Sequence, residues 1–195
     1  MLLGDIAEIK TGLVLSRKKA DIEYAIQAKY PMVTLKNITD VGTFNDEQFE
    51  EFNSHEKLGK QYFTTEGDVL IRLSYPNTAI YINEKHVDLL VPSYFAILKV
   101  QESMFLPEYV AWYLNTEAVK KELERSQAGT RILSTNKNVL KRIDVARIPI
   151  EKQKALIKIK RLHEKEKNLY QKLLLEKEAY INSIMQSIIE KELEE

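Results

Sequence analysis

The sequence predicts a mixed α/β domain, an α/β (α+β) arrangement, followed by one long C-terminal helix, and three observations carry that prediction. Before Pro149 the chain alternates short apolar runs, rich in β-branched and aromatic residues, with turns. Between Pro107 and Ser126 the apolar spacing changes to that of a helix face. From Ile150 onward there is neither glycine nor proline, and Leu, Ile, Lys, Glu and Gln dominate.

Taken in order, the strand candidates are Pro31-Met32-Val33-Thr34-Leu35, Asp68-Val69-Leu70-Ile71-Arg72, Ala79-Ile80-Tyr81-Ile82 and Tyr94-Phe95-Ala96-Ile97-Leu98. Pro107 suits a first helical turn and Glu108 suits the dipole there, while Tyr109, Val110, Tyr113, Leu114, Val119 and Leu123 supply the buried face. Pro149 is the last proline, so the boundary falls there: a domain over 1–149 and a helix over 150–195. Forty continuous helical residues would extend about 60 Å. The helix carries an apolar stripe of Leu156, Ile159, Leu162, Leu169, Leu173, Tyr180, Ile181, Ile184 and Ile188, largely three, four or seven residues apart. Glu166 and Lys177 interrupt it, so a coiled-coil-like helix pair with some polar contacts fits better than a clean two-stranded heptad seam. Such a stripe needs a partner helix to cover it.

A chain of 195 residues holds one good-sized core with an appendage and leaves little room for a second full domain. The absence of cysteine excludes disulfides and thiolate metal sites, which fits a cytoplasmic home. Asp5 and Glu8 stand where a secretory signal would be basic and then apolar, and no apolar run is long enough to cross a bilayer. Met1 and the charged ending Glu194-Glu195 read as natural termini. Net charge is 0, which argues against gripping nucleic acid over the whole surface and leaves local patches. One such patch runs from Arg125 to Arg147, where Arg125, Arg131, Lys137, Lys141, Arg142 and Arg147 face one acid, Asp144; a solvated charged face is the competing reading.

Catalytic motifs are missing. His55, His86 and His163 are scattered, without metal-ligand spacing, and there is no His-Glu-x-x-His. No Gly-x-Gly-x-x-Gly, Walker-type loop or Gly-x-Ser-x-Gly elbow is present, and Gly59-Lys60-Gln61 lacks the hydroxyl that would hold magnesium. Asp21 with Gln27-Ala28-Lys29 matches a nuclease pattern only at chance level, and Ser74-Tyr75-Pro76-Asn77 holds the letters of an amino-methyltransferase loop in the wrong order.

The informative feature is a series of modest motifs in order. Leu3-Gly4-Asp5-Ile6-Ala7-Glu8-Ile9 leads into Lys10-Thr11-Gly12, followed by Val33 to Ile38 and Gly42. Gly67-Asp68-Val69-Leu70-Ile71-Arg72 then runs into Tyr75-Pro76-Asn77, and Pro92-Ser93 precedes an apolar strand. Tyr109-Val110 to Leu114, Gly129-Thr130-Arg131, Asn136 to Leu140 and Ile148-Pro149-Ile150 with Glu151-Lys152-Gln153 complete the series. Over residues 3 to 190 this order resembles the specificity (S) subunit of type I restriction-modification systems, in which a strand-rich target-recognition domain is followed by a long spacer helix. A complete subunit of that family carries two such pairs, whereas this chain carries one of each.

The resemblance therefore implies a half-subunit that is not an enzyme. A second copy of itself, or another S-type chain, would pair through the helix stripe, and a homodimer would read an interrupted palindrome. It implies double-stranded DNA, a methyltransferase subunit and a motor-nuclease subunit as partners. It also implies no cofactor on this chain, since S-adenosylmethionine would sit on the methyltransferase. Base reading needs paired donors or acceptors on loops. The DNA-binding candidates are Arg17, Lys18 and Lys19; Lys36 and Asn37; Arg72, Ser74, Tyr75 and Asn77; and Gly129, Thr130, Arg131, Asn136 and Lys137. Each group has a structural alternative: a solvated run for Arg17 to Lys19, a turn for Lys36-Asn37, a helix C-cap for Gly129-Thr130 and an N-cap for Asn136. Trp112 and Tyr113, at helical spacing, suit a core better than a base-stacking platform. Two rival functions remain: a coiled-coil scaffold whose α/β head binds protein, and a small magnesium-dependent nuclease or a fused methyltransferase fragment.

Overall fold

The computed structural model describes residues 1–20, 22–45, 47–126 and 134–194, with the backbone alone for 191–194. A single helical turn, α1 (Leu3–Ile6), passes directly into strand β1 (Ala7–Thr11). Strands β2 (Ala28–Met32) and β3 (Glu50–Ser54) form a two-stranded antiparallel sheet. β4 (Asp68–Arg72), β5 (Ala79–Tyr81) and β6 (Phe95–Val100) join β1 in a four-stranded sheet of order β1-β6-β4-β5, antiparallel at every pairing. Helices α2 (Pro107–Leu114), α3 (Glu117–Ser126), α4 (Lys137–Leu140) and α5 (Ile150–Glu194) complete the order. The chain divides into two compact units, Met1–Lys154 and Ala155–Glu195.

Strand β4 is covered on both faces, which is why it reads as a continuous apolar run with no polar alternation. Leu70, Ile80 and Ile97 join Val33, Val91 and Phe95 in one core cluster, and α2 lies along β4, β5 and β6. Beneath the small sheet, Leu13, Met32, Phe52 and Leu90 form a second cluster, with the rings of Tyr30 and Phe63 5.0 Å apart at its rim. β5 is an edge strand, and unpaired edges invite aggregation. Asn115 closes this one: its Oδ1 accepts from Ala79 N at 2.9 Å and its Nδ2 donates to Ala79 O at 2.7 Å, the two bonds a neighbouring strand would make.

The joints of the domain are built from the ordered motifs. Leu3 and Gly4 donate backbone bonds to Ile143 O (2.8 Å) and Lys141 O (3.0 Å), and Val145 N returns one to Met1 O (2.8 Å). A Cβ on Gly12 would overlap the carbonyl oxygens of Val91 and Pro92, so only glycine allows that approach. Asp68, 2% exposed, accepts from Thr65 N (2.9 Å), Thr65 Oγ1 (3.0 Å) and Lys99 Nζ (2.7 Å). A buried carboxylate persists only with such partners.

Several expectations are corrected. The single helix over Pro107 to Ser126 is two helices, α2 and α3, because Asn115 leaves the helical ladder to hold β5 and donates to Ala111 O at 3.0 Å. The strand expected at Pro31–Leu35 ends at Met32, and Leu35–Asn37 is a 3-10 turn, since Thr34 and Asn37 form a capping box. β1 and β3 add strands to the four expected. The long helix begins at Ile150 as expected, but its first turn belongs to the compact domain: Gln153, fully buried, accepts from Leu106 N and donates to Met104 O and Ile148 O, at 2.8, 2.9 and 2.9 Å. The division between the compact units accordingly falls between Lys154 and Ala155, inside the helix.

Candidate nucleic-acid interface

The sequence-predicted candidates fall into two groups. The first is built on the end of β4. Arg72 N donates to Thr78 O at 2.9 Å to close the β4–β5 hairpin, and Asn77 N to Ser74 O at 2.9 Å tightens its tip. The Tyr75–Pro76 peptide is cis, and Tyr75 stands 53% exposed at the tip. Arg72 Nε donates to Ser74 Oγ at 3.0 Å, which fixes the plane of the guanidinium. Ser74 bridges Ser134, and Thr135 N donates to Leu73 O at 2.7 Å. The hairpin tip therefore lies beside the segment that leads to Asn136 and Lys137.

That segment is a strap fixed at intervals. Asn136 Oδ1 accepts from Asn138 N (2.9 Å) and Val139 N (3.2 Å) to cap α4; residues 141–145 pair with residues 1–4; and Tyr109 Oη donates to Ala146 O at 2.9 Å. Burial holds that Tyr109 phenol above its ordinary range, with the neighbouring Tyr113 adding to the effect. The side chains the strap presents are cationic. Lys137, Lys141, Arg142 and Arg147 are all exposed, and among the described residues none of them is in an ion pair, while the one acid, Asp144, is engaged by the Met1 ammonium at 2.6 Å.

The second group sits on the small sheet and is neutralised at Lys18 and Lys36. Lys18 pairs with Glu56 at 2.6 Å, Lys36 with Glu50 at 3.5 Å, and Lys29 with Glu51 at 2.9 Å. The hydrogen bond from Lys18 holds the Glu56 carboxyl below the usual carboxylate range. Arg17 and Lys19 remain exposed, their backbone held by His55 N to Lys18 O (3.0 Å) and by a bridge between Lys19 and Ser54. Sequence reasoning missed Tyr24, which is 89% exposed on a loop clamped to β3 by Ala20 N to Asn53 O and Gln27 N to Ser54 O, both 2.9 Å. No local pattern marks a tyrosine as outward-facing, so nothing in the sequence pointed to it.

Two candidates serve the fold and offer no edge to a base. Asn37 is 1% exposed: its Oδ1 accepts from Thr34 N and Oγ1 (2.8 and 2.9 Å), and its Nδ2 reaches Glu47 O and Gln48 O (3.0 and 3.3 Å). Asn77 is 2% exposed with φ of 53°, and its Nδ2 donates to Arg72 O and Leu73 O at 3.2 and 3.1 Å. Asn136 is the α4 cap, as its alternative reading had it. Gly129, Thr130 and Arg131 lie outside the described residues. Trp112 and Tyr113 are half-buried around Tyr109, with ring centroids 5.8 and 5.9 Å from it.

On α5, Ile159, Leu162, Leu169, Leu173, Tyr180, Ile181, Ile184 and Ile188 are exposed and Leu156 is half-buried. Tyr170, Leu174, Leu175, Met185 and Ile189, which the stripe omitted, are exposed as well, while Ile157 is buried. No helix among the described residues is long and apolar enough to cross a membrane, and no three His, Asp or Glu side chains among them converge as a metal site.

A comparison with solved structures gives the fold its relatives. A chain from a structure addressing complex assembly and conformational transition of the type I R-M system superposes with a TM-score of 0.63 over 98% of this chain and 44% of its own, at 16% identity. This chain has the fold of type I specificity subunits. The HsdS subunit from Thermoanaerobacter tengcongensis matches with a TM-score of 0.63, at 13% identity, over 88% of this chain and 43% of its own. The type I restriction-modification S subunit from M. genitalium gives 0.51, also at 13% identity, over 88% and 40%. The chain thus spans less than half the length of each. No protein-family model and no curated protein matches the sequence.

Proposed function

We propose that this chain is a non-catalytic DNA-recognition component of a type I restriction-modification system, reading one half-site. The observation that carries the reading is a strap of four exposed cations, Lys137, Lys141, Arg142 and Arg147, in no ion pair among the described residues, which starts against the Arg72–Tyr75 hairpin at Ser134 and Thr135, on a chain whose net charge is 0 and in which Lys18 and Lys36 are paired with acids. Phosphate binding needs cations free to release their counterions, and the polar hairpin tip against the start of that strap is where base edges would be met.

The unpartnered apolar face of α5 supports pairing with a second copy or another S-type chain. At 100° per residue, the exposed apolar side chains from Leu169 to Ile189 cover about 240° of the helix, wider than a two-stranded seam. That width suits a bundle with room for helices of a methyltransferase subunit. In this reading the methyl donor, S-adenosylmethionine, sits on the methyltransferase, cleavage falls to a motor-nuclease subunit, and the assembly is cytoplasmic. A protein-binding scaffold would show no retention on mixed duplex DNA at low salt. The reader proposed here is retained, with affinity that falls linearly on a log–log plot as salt rises. Light scattering tests the pairing: the chain is expected to be a dimer, and Leu173→Glu with Ile184→Glu a folded monomer, because both side chains are already exposed. A monomeric parent chain would remove the symmetric-site reading.

A further inference from the structure

Resting on that DNA-reading function, we propose that Arg72 is a specificity-determining residue that reads a guanine through its two terminal guanidinium nitrogens, with Ser74 as its positioning residue. Arg72 is the last residue of β4, in register with the fully buried Phe95 of β6, and its backbone N–H is spent on Thr78 O. Its Cα is therefore set by the central strands of the sheet and not by a free loop. A contact geometry held by a strand is held more closely than one held by a loop.

The side chain is half-buried, and its Nε is committed to Ser74 Oγ at 3.0 Å. What remains is the Nη1–Nη2 end of the fork, two parallel donors whose spacing matches the O6 and N7 acceptors of guanine in the major groove. Ser74 is itself held: it pairs with Ser134, and its neighbour Leu73 accepts from Thr135 and donates to Tyr94 O. Among the described residues no carboxylate competes for Arg72, whereas the lysine facing the opposite end of the same strand, Lys99, is taken by Asp68.

The contrast with the strap separates base from phosphate. Lys137, Lys141, Arg142 and Arg147 are exposed and in no ion pair among the described residues, which is all that neutralising a phosphate requires. A tethered, half-buried fork gains nothing over them at a phosphate. At a base it discriminates, because a wrong base leaves desolvated donors unpaired.

The test uses the full chain and a pool of duplexes with a randomised central segment, enriched by retention at moderate salt and sequenced. The parent chain is expected to enrich a motif containing a guanine that Arg72→Ala and Arg72→Lys no longer require, with the other positions of the motif intact. On the best parent duplex each variant should bind about 5- to 150-fold more weakly, the range of one good bidentate pair. Arg72→Lys keeps the charge and most of the buried stem, so its result does not depend on whether Arg72→Ala folds, and it should leave the salt slope unchanged. Ser74→Ala should blunt the same guanine preference and Ser74→Thr restore it. If both Arg72 variants weaken all sequences equally while the motif stays the same, Arg72 is a phosphate contact and the proposal is overturned. If the parent chain retains no duplex at all, the DNA-reading function itself fails before any variant is compared.

Discussion

Replacing Gln153 with alanine would break the joint by which the first turn of α5 is held to the compact domain. The side chain is fully buried and makes three bonds, to Leu106 N, Met104 O and Ile148 O. Leu106 is the N-cap residue of α2, and its N–H loses the Gln153 Oε1 acceptor it uses. A stranded buried donor costs about 1–3 kcal/mol, and each lost neutral hydrogen bond about 0.5–1.5 kcal/mol. With the other two bonds lost besides the stranded donor, the sum is about 4 kcal/mol, which a urea slope of about 2 kcal/mol/M turns into a midpoint shift of about 2 M. Trp112, the single tryptophan, lies on α2 and reports the transition by fluorescence. Gln153→Glu should be worse at neutral pH, because a carboxylate oxygen would face two carbonyl oxygens, and should recover in part as acid protonates it. A midpoint shift below 0.5 M for Gln153→Ala, taking the same urea slope, or a Gln153→Glu variant as stable as the parent, would refute the account of this joint.

Gly12→Ala should be among the most damaging single-methyl additions, since the new Cβ meets backbone oxygens of Val91 and Pro92 that belong to the core wall; thermal unfolding should drop by about 6–12 °C, the range expected for ~3 kcal/mol. His86 gives a pH dependence. Its ring stacks on Phe44 at 3.8 Å, and burial, with Lys85 adding to it, lowers its pKa below the ordinary 6.5. The folded state therefore binds its proton less readily than the unfolded chain, so the stabilisation is present above pH 6.5 and is lost as pH falls toward the depressed value. His86→Phe, which keeps the stack, should flatten that part of the stability profile in denaturant titrations at stepped pH.

What the sequence made legible was set by how local each cause is. β4, β5, β6 and the start of α5 were readable because β-branched runs, a last proline and a breaker-free tail act over a few residues. β3, Glu-Glu-Phe-Asn-Ser, has a single apolar residue and exists only because β2 pairs with it. The break at Asn115 is tertiary in origin, since its amide serves an edge strand 36 residues away. Among the candidate contacts, residue type separated donors from non-donors but not exposed from committed. Asn37 and Asn77 carry the chemistry of adenine readers and spend it on backbone carbonyls and turns, whereas Arg72 was named for its type and only the folded structure shows it tethered. The ordered motifs identified the fold for a related reason: Gly4, Gly12, Asp68 and Gln153 are its joints, so they speak to architecture and not to which bases are read.

The pairing of residues 1–4 with 141–145 brings the two ends of the compact domain side by side, Met1 against Asp144 and Val145, a few residues before the chain enters α5. A polypeptide arriving at residue 1 and one leaving toward residue 150 use the same doorway. The domain therefore behaves as a cassette with a single point of attachment: it can be exchanged, or strung with another of its kind, through one short junction, leaving its sheet order and its hairpin tip untouched.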